Sequence, residues 1–196
     1  MSLKKAIVLI ILVLLLDQIS KIYIKTNFTL YEGVDVFSWF KIYFIENEGM
    51  AWGAKIPGQY GKLILTLFRL VAIVGIGYWF WDSVRKNASK VLIVSIALIF
   101  AGAFGNIIDS VLYGIIFNDS AGQVASFMPA EGGYGTLFHG KVVDMFSFSF
   151  FDPVFNVADS SISIGVALLI LFNKRAFPKK KEDEKKEVEE TLEATT

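Results

Sequence analysis

Cysteine is absent from this 196-residue chain, and histidine occurs once, at His139. The first absence excludes disulfides, thiolate nucleophiles and zinc–thiolate sites. The second leaves His139 as the only imidazole base and excludes a multi-histidine metal site. Excess charge is missing too: 19 basic and 19 acidic residues balance, so no global field points to nucleic acid. Carboxylates remain as the candidates for acid–base chemistry. What the chain has in excess is apolar residues, 54% of the whole with a mean hydropathy of +0.54. Soluble domains lie near ~45–50%, and here the surplus is gathered into blocks.

Residues 6–16 read AIVLIILVLLL without a break, and Ile19, Ile22, Tyr23 and Ile24 carry the run past Asp17 and Lys21. The resulting helix, over 6–24, is long enough to cross ~30 Å of hydrocarbon. Lys4 and Lys5 would also suit a signal peptide, but DQISKIYIK is a poor cleavage site, so an uncleaved span is expected. Later blocks predict spans over 63–81, 91–109 and 158–173. The second is interrupted only by Thr66 and Arg69, and its Trp79 and Trp81 suit interfacial anchors.

Lys4 and Lys5, then Arg85, Lys86 and Lys90, then Lys174, Arg175 and Lys179–Lys181 flank these spans on one side. The positive-inside rule makes that side cytoplasmic and places 25–62 and 110–157 outside. The expected fold is an α-helical membrane protein. It has four transmembrane helices within residues 1–177 and a small extracytoplasmic β-sheet between helices 1 and 2. The sheet is read from the alternating stretches VDVFSWF and KIYFIEN. Residues 178–196 form a Lys- and Glu-rich cytoplasmic tail to which no function is assigned. Residues 117–140 are rich in Gly and small side chains and read as a long loop ending at His139. Deleting part of that loop is expected to change substrate handling more than folding.

Charged groups in or beside spans need a reason. Asp17 and Lys21 stand four apart in the acid-first order of a helix-face pair, which favours a structural role. Asn106 and Asp109 share a face at the outer end of the third span, either as a polar helix end or as groups pointing into the bundle. Asn156 and Asp159 repeat that spacing where the fourth span opens, and Asp159 alone would suit a helix cap. Asp144, inside KVVDMFSF, is either a surface carboxylate on a half-buried strand or a functional group. Asn47, Asn106, Asp109, Asp144, Asn156 and Asp159 all fall on the outer side or at outer helix ends. Two carboxylates brought within a few Å would share a proton and could hydrolyse an amide without a covalent intermediate. His139 reads as an ordinary loop histidine, with a pH switch as the alternative.

Five boxes in order carry a family resemblance: DQISK at 17–21, NEGMAWG at 47–53, GAFGNIID at 102–109, VVDM at 142–145 and FNVADSSISIG at 155–165. Together with four spans they resemble the lipoprotein signal peptidases, the membrane aspartyl peptidases also called signal peptidase II. The resemblance implies that Asp144 and Asp159 form a catalytic dyad. It implies that Asn47, Gly49, Asn106, Asp109, Asn156 and Ala158 shape the site or hold substrate, and that Asp17 and Lys21 are structural. It further implies cleavage of diacylglyceryl-modified prolipoproteins just before the lipidated cysteine. No metal or organic cofactor is expected. Membrane lipids and a globomycin-type inhibitor are the other expected partners, nucleic acid is not, and a monomer in the bacterial inner membrane is expected. Both termini would be cytoplasmic and the active site extracytoplasmic.

Two departures stand out. Ser110 occupies the place where the family commonly has Arg, so any guanidinium contact is lost or supplied from elsewhere, with Lys141 a candidate. The interval from Asp109 to Asp144 is also longer than usual. The rival from another class is a proton-coupled transporter, since membrane aspartates often mark proton relays. Transporters, however, tend to keep them at mid-bilayer and to show repeats.

Overall fold

The structure, a computed structural model, describes residues 1–48 and 60–178. Helix α1 spans Leu3–Asn27 and α2 spans Gly61–Arg85. Helix α3 covers Lys90–Ile108 and continues through a π-helical turn, Asp109–Tyr113, into the short α4, Gly114–Ile116. Helix α5 is Val157–Leu171, followed by α6, Asn173–Ala176. Among the described residues, three helical stretches are long and apolar enough to cross a membrane: Leu3–Asn27, Gly61–Arg85 and Lys90–Ile116. Helix α5, with 15 residues, is shorter. Its N-terminus lies inside the protein, where Asn156 and Ala158 are fully buried, and α6 extends its far end.

The third stretch is the centre of the bundle; α1, α2 and α5 all pack on it. Small residues allow this. A side-chain carbon at Gly102 would lie 2.2 Å from the Ala158 carbonyl oxygen, and one at Gly165 2.7 Å from that of Ser95. The α3–α5 seam therefore closes only with glycine. Outward faces carry Leu12, Leu16, Phe68, Val71 and Val74 exposed, as lipid-facing surfaces do. Helix α2 packs on α3 rather than on α5.

Four strands form one antiparallel sheet in the order β1 (Gly33–Phe37), β2 (Phe40–Asn47), β3 (Val142–Phe148) and β4 (Phe151–Phe155). Half of the sheet thus comes from the segment before α5, not from between the first two spans alone. The central β2–β3 pairing joins Asn47 to Val142 and Ile45 to Asp144. Such long-range pairing leaves no local mark in sequence. The register slips by one residue between Ile42 and Ile45, a bulge. Alternation along β3 then sends Val143 and Met145 into a core with Phe44, Tyr113 and Phe117, and Val142 and Asp144 to the opposite face.

Residues 117–140 carry little regular structure but are not loose. Isolated bridges join Phe117 to Phe127 and Thr29 to Val124. Phe117, Ser120 and Ala125 are buried. Ser120 and Glu46 enclose the Lys25 ammonium: Lys25 donates to Ser120 Oγ at 2.8 Å and pairs with Glu46. The Tyr134 ring lies 5.0 Å from Lys25 Nζ. Burial opposes the Glu46 charge, but Lys25 and Lys141 outweigh it and hold the carboxyl below its usual range. The segment is therefore clamped to β2 by a paired buried charge.

Candidate active site

Ordinary local rules place each polar residue. Asn156 is the N-cap of α5: its Oδ1 accepts the Asp159 N–H at 2.9 Å, and Asp159 Oδ2 accepts the Asn156 N–H at 3.3 Å. This reciprocal capping box leaves Asp159 Oδ1 to accept from Asn106 Nδ2 at 2.8 Å. Asp159 is thus both a capping residue and a cavity-lining one; the two readings of its sequence position do not compete.

Asp144 lies on β3 and is 1% exposed. Its Oδ1 accepts from Asn156 Nδ2 at 2.7 Å and its Oδ2 from Asn47 Nδ2 at 3.1 Å. Asn106 and Asn156 touch each other at 3.1 Å, so two amides connect the two carboxylates. Burial, and next the charge of Asp159, push the Asp144 carboxyl up to about 7.

Behind this layer stands the Lys21 ammonium, fully buried. Its three N–H groups meet Asp17 Oδ2 at 2.9 Å, Asp109 Oδ2 at 2.9 Å and Asn106 Oδ1 at 2.8 Å. Asp17 also accepts the Ala158 N–H at 2.9 Å, and Asp109 that of Val143 at 3.3 Å. Gln18 bridges both carboxylates at 3.0 Å. The cluster ties α1, the end of α3, β3 and the start of α5 together. A side-chain carbon at Gly105 would sit 2.6 Å from Asp17 Oδ2, which is why glycine stands there.

Asn47, Asn106, Asp144 and Asp159 line a cavity of about 660 Å³. Its walls come from α2 (Arg69, Ala72, Ile73), α3 (Ala103, Ile107), β4 (Phe151, Val154, Phe155) and α5 (Ile162, Ile164). Of the expected site residues, Asp109, Asn156 and Ala158 stand behind that wall, and Gly49 lies outside the described residues. None of the residues 117–140 lines it. His139 is away from it, with Nδ1 3.0 Å from Thr136 Oγ1. Among the described residues no three His, Asp or Glu converge as a metal site.

Two residues depart from expectation. Lys141 turns to Glu46 at 3.1 Å and does not reach the cavity. The guanidinium beside Ser110 belongs to Arg69, whose Nη1 donates to Ser110 Oγ at 3.2 Å. In the sequence Arg69 stands out only as a break in the second span. An arginine inside an apolar block was the signal that could have singled it out.

Helices of membrane-crossing length, with two amide-linked carboxylates facing an apolar cavity, define a membrane protein built around a paired-carboxylate site. The comparisons narrow the class. The model of the signal peptidase II (SPase II) family matches residues 9–174, and the chain belongs to that family. A lipoprotein signal peptidase of Porphyromonas gingivalis is 45% identical over 183 residues, covering 83% of this chain and 80% of the relative. One from Staphylococcus aureus is 32% identical over 182 residues, covering 92% and 94%. A solved bacterial membrane enzyme superposes with a TM-score of 0.66 at 27% identity, over 91% of this chain and 93% of that one. A second does so with 0.65 at 26%, over 89% and 96%. The protein is a membrane peptidase of lipoprotein signal peptides. Neither the family nor these relatives lend support to a transporter.

Proposed function

We propose that the protein is an aspartic endopeptidase that cleaves diacylglyceryl-modified prolipoproteins N-terminal to the lipidated cysteine, with Asp144 and Asp159 as its catalytic dyad. The observation that carries this reading is the amide-linked pair at one cavity wall, with Asp144 holding its proton near neutrality. Asp159 takes a proton from a water that attacks the scissile carbonyl carbon. Asp144 donates its proton to the carbonyl oxygen. Collapse of the tetrahedral intermediate expels the cysteine amine, which leaves protonated by the dyad. Asn106 and Asn156 keep the carboxylates in place, Asn47 completes the substrate side, and Asp17, Lys21, Asp109 and Ala158 support the layer behind.

The cavity is bounded by α2 on one side and α5 on the other, which do not pack on each other as α2 packs on α3. A substrate whose lipid stays in the bilayer can enter between them. In this reading the sheet and dyad lie at the extracytoplasmic face of the bacterial inner membrane, and the termini are cytoplasmic. The enzyme works as a monomer, and a globomycin-type peptide inhibitor occupies the same cavity.

The test is cleavage of a purified diacylglyceryl prolipoprotein in detergent, with the product N-terminus mapped. Release of diacylglyceryl-cysteine at the new N-terminus is expected. Asp144→Asn or Asp159→Asn protein that folds normally and still cleaves at the wild-type rate would remove the dyad.

A further inference from the structure

The cavity contains two carboxylates, yet its walls are mainly apolar. Among its described lining residues Arg69 is the only cation. Its charge acts on Asp159, Asp109 and Asp144. Its position is set from the next helix: Nη1 donates to Ser110 Oγ at 3.2 Å, and that hydroxyl donates to the Asn106 carbonyl at 2.9 Å. The same residue whose side chain touches Asp159 therefore anchors, through its backbone, the guanidinium. An arginine placed within a span and facing a cavity is a functional group by default. A guanidinium is also permanently charged and suited to carbonyl and carboxylate oxygens.

Amide hydrolysis makes a particular demand on this site. It converts a neutral carbonyl on the signal-peptide side into a carboxylate, next to a dyad that carries a negative charge of its own. A fixed counter-charge is needed at that point, and Arg69 is in place to provide it.

We propose that Arg69 is the substrate-holding guanidinium of this enzyme, binding the backbone carbonyl on the signal-peptide side of the scissile bond and, after cleavage, the new carboxylate. Helix α2 thus supplies what Ser110, at the end of α3, cannot. The proposal rests on the peptidase reading above.

The experiment compares wild type, Arg69→Gln, Arg69→Lys and the double variant Arg69→Gln/Ser110→Arg. Steady-state cleavage of the lipidated substrate is measured, together with inhibition by a synthetic signal-peptide fragment ending in a carboxylate or in a carboxamide. Arg69→Gln is expected to raise KM roughly ten- to a hundredfold, the loss of a charge-assisted hydrogen bond. It should also abolish the preference for the carboxylate fragment. The double variant, which restores a guanidinium from the other helix, should recover both to within a few-fold. If Arg69→Gln does not fold, Arg69→Lys decides: it should keep the carboxylate preference while KM rises. Folded variants with wild-type KM and unchanged discrimination between the two fragments overturn the proposal. A wild-type protein that fails to cleave the lipidated substrate sinks the peptidase reading instead, and that control separates the two failures.

Discussion

The Lys21 ammonium donates to Asn106 Oδ1 at 2.8 Å, and with the Asn156 amide, which donates to the same oxygen at 3.1 Å, it orients the Asn106 amide. With Oδ1 committed to a cation, Nδ2 must face the other way, and it donates to Asp159 at 2.8 Å. A buried charge on the first helix, together with the N-cap amide of the fifth, therefore sets which atom of the third helix meets the Asp159 carboxylate. Asp17 and Asp109 in turn hold Lys21, so the layer behind the cavity acts as one unit.

Replacing Lys21 by Met would strand Asp17 and Asp109 as buried, uncompensated carboxylates. Breaking such a pair costs about 3–5 kcal/mol. The expected outcome is a sharp loss of monodisperse protein and of Tm, with Asp17→Asn milder in the same direction. An abundant Lys21→Met protein with wild-type Tm but no turnover would refute the structural role.

Asp144→Asn and Asp159→Asn should lower kcat by about 10²–10⁴-fold, the range for positioned acid–base groups, while leaving folded yield near wild type. Asp159→Asn should show the larger loss of Tm, since one amide oxygen cannot accept both the Asn156 N–H and the Asn106 Nδ2 as the two carboxylate oxygens do. Thermal unfolding beside the cleavage assay separates the two effects.

The Asp144 carboxyl, ordinarily near 3.8, is pushed up to about 7 by burial and by Asp159. The folded state then holds this proton more tightly than the unfolded state. The penalty is absent below about pH 4, grows as pH rises through 7, and is constant above, with a ceiling of about 4 kcal/mol at 1.36 kcal/mol per unit. Wild-type Tm should therefore fall between pH 5 and pH 8, and Asp144→Asn should flatten that slope. Equal slopes for the two proteins would contradict the assignment. Cleavage should decline above about pH 7 as the donor is lost.

Shortening 117–140 should cost folded protein, the reverse of what its composition suggests. Ser120 and Tyr134 surround the buried Lys25 ammonium, and none of the segment lines the cavity. A deletion removing Ser120 through Tyr134 is expected to reduce Tm strongly. The milder Ser120→Ala should lose about 1.5–3 kcal/mol, the value of a hydrogen bond to a charged group. KM for the lipidated substrate should be unchanged in Ser120→Ala; a selective change in KM would return the segment to the substrate path.

The sequence by itself determined the three long apolar helices and the shorter fourth, because hydrocarbon demands long apolar runs and every backbone group satisfied within a helix. It also marked the polar residues, since Asp17, Asn106, Asp109, Asp144 and Asp159 are too expensive near a membrane to be accidental. Their local pattern did not rank them; the resemblance carried by the ordered boxes did. Asp109 and Asp159 share the same local spacing to an asparagine, yet one faces Lys21 and the other the cavity. Only the crossing of α1, α3 and α5, allowed by Gly102, Gly105 and Gly165, decides which is which. The sheet's second half and Arg69's contact with Ser110 were likewise settled by tertiary structure. Strand pairing and helix–helix contacts join residues far apart in the chain, and local pattern records one partner at a time.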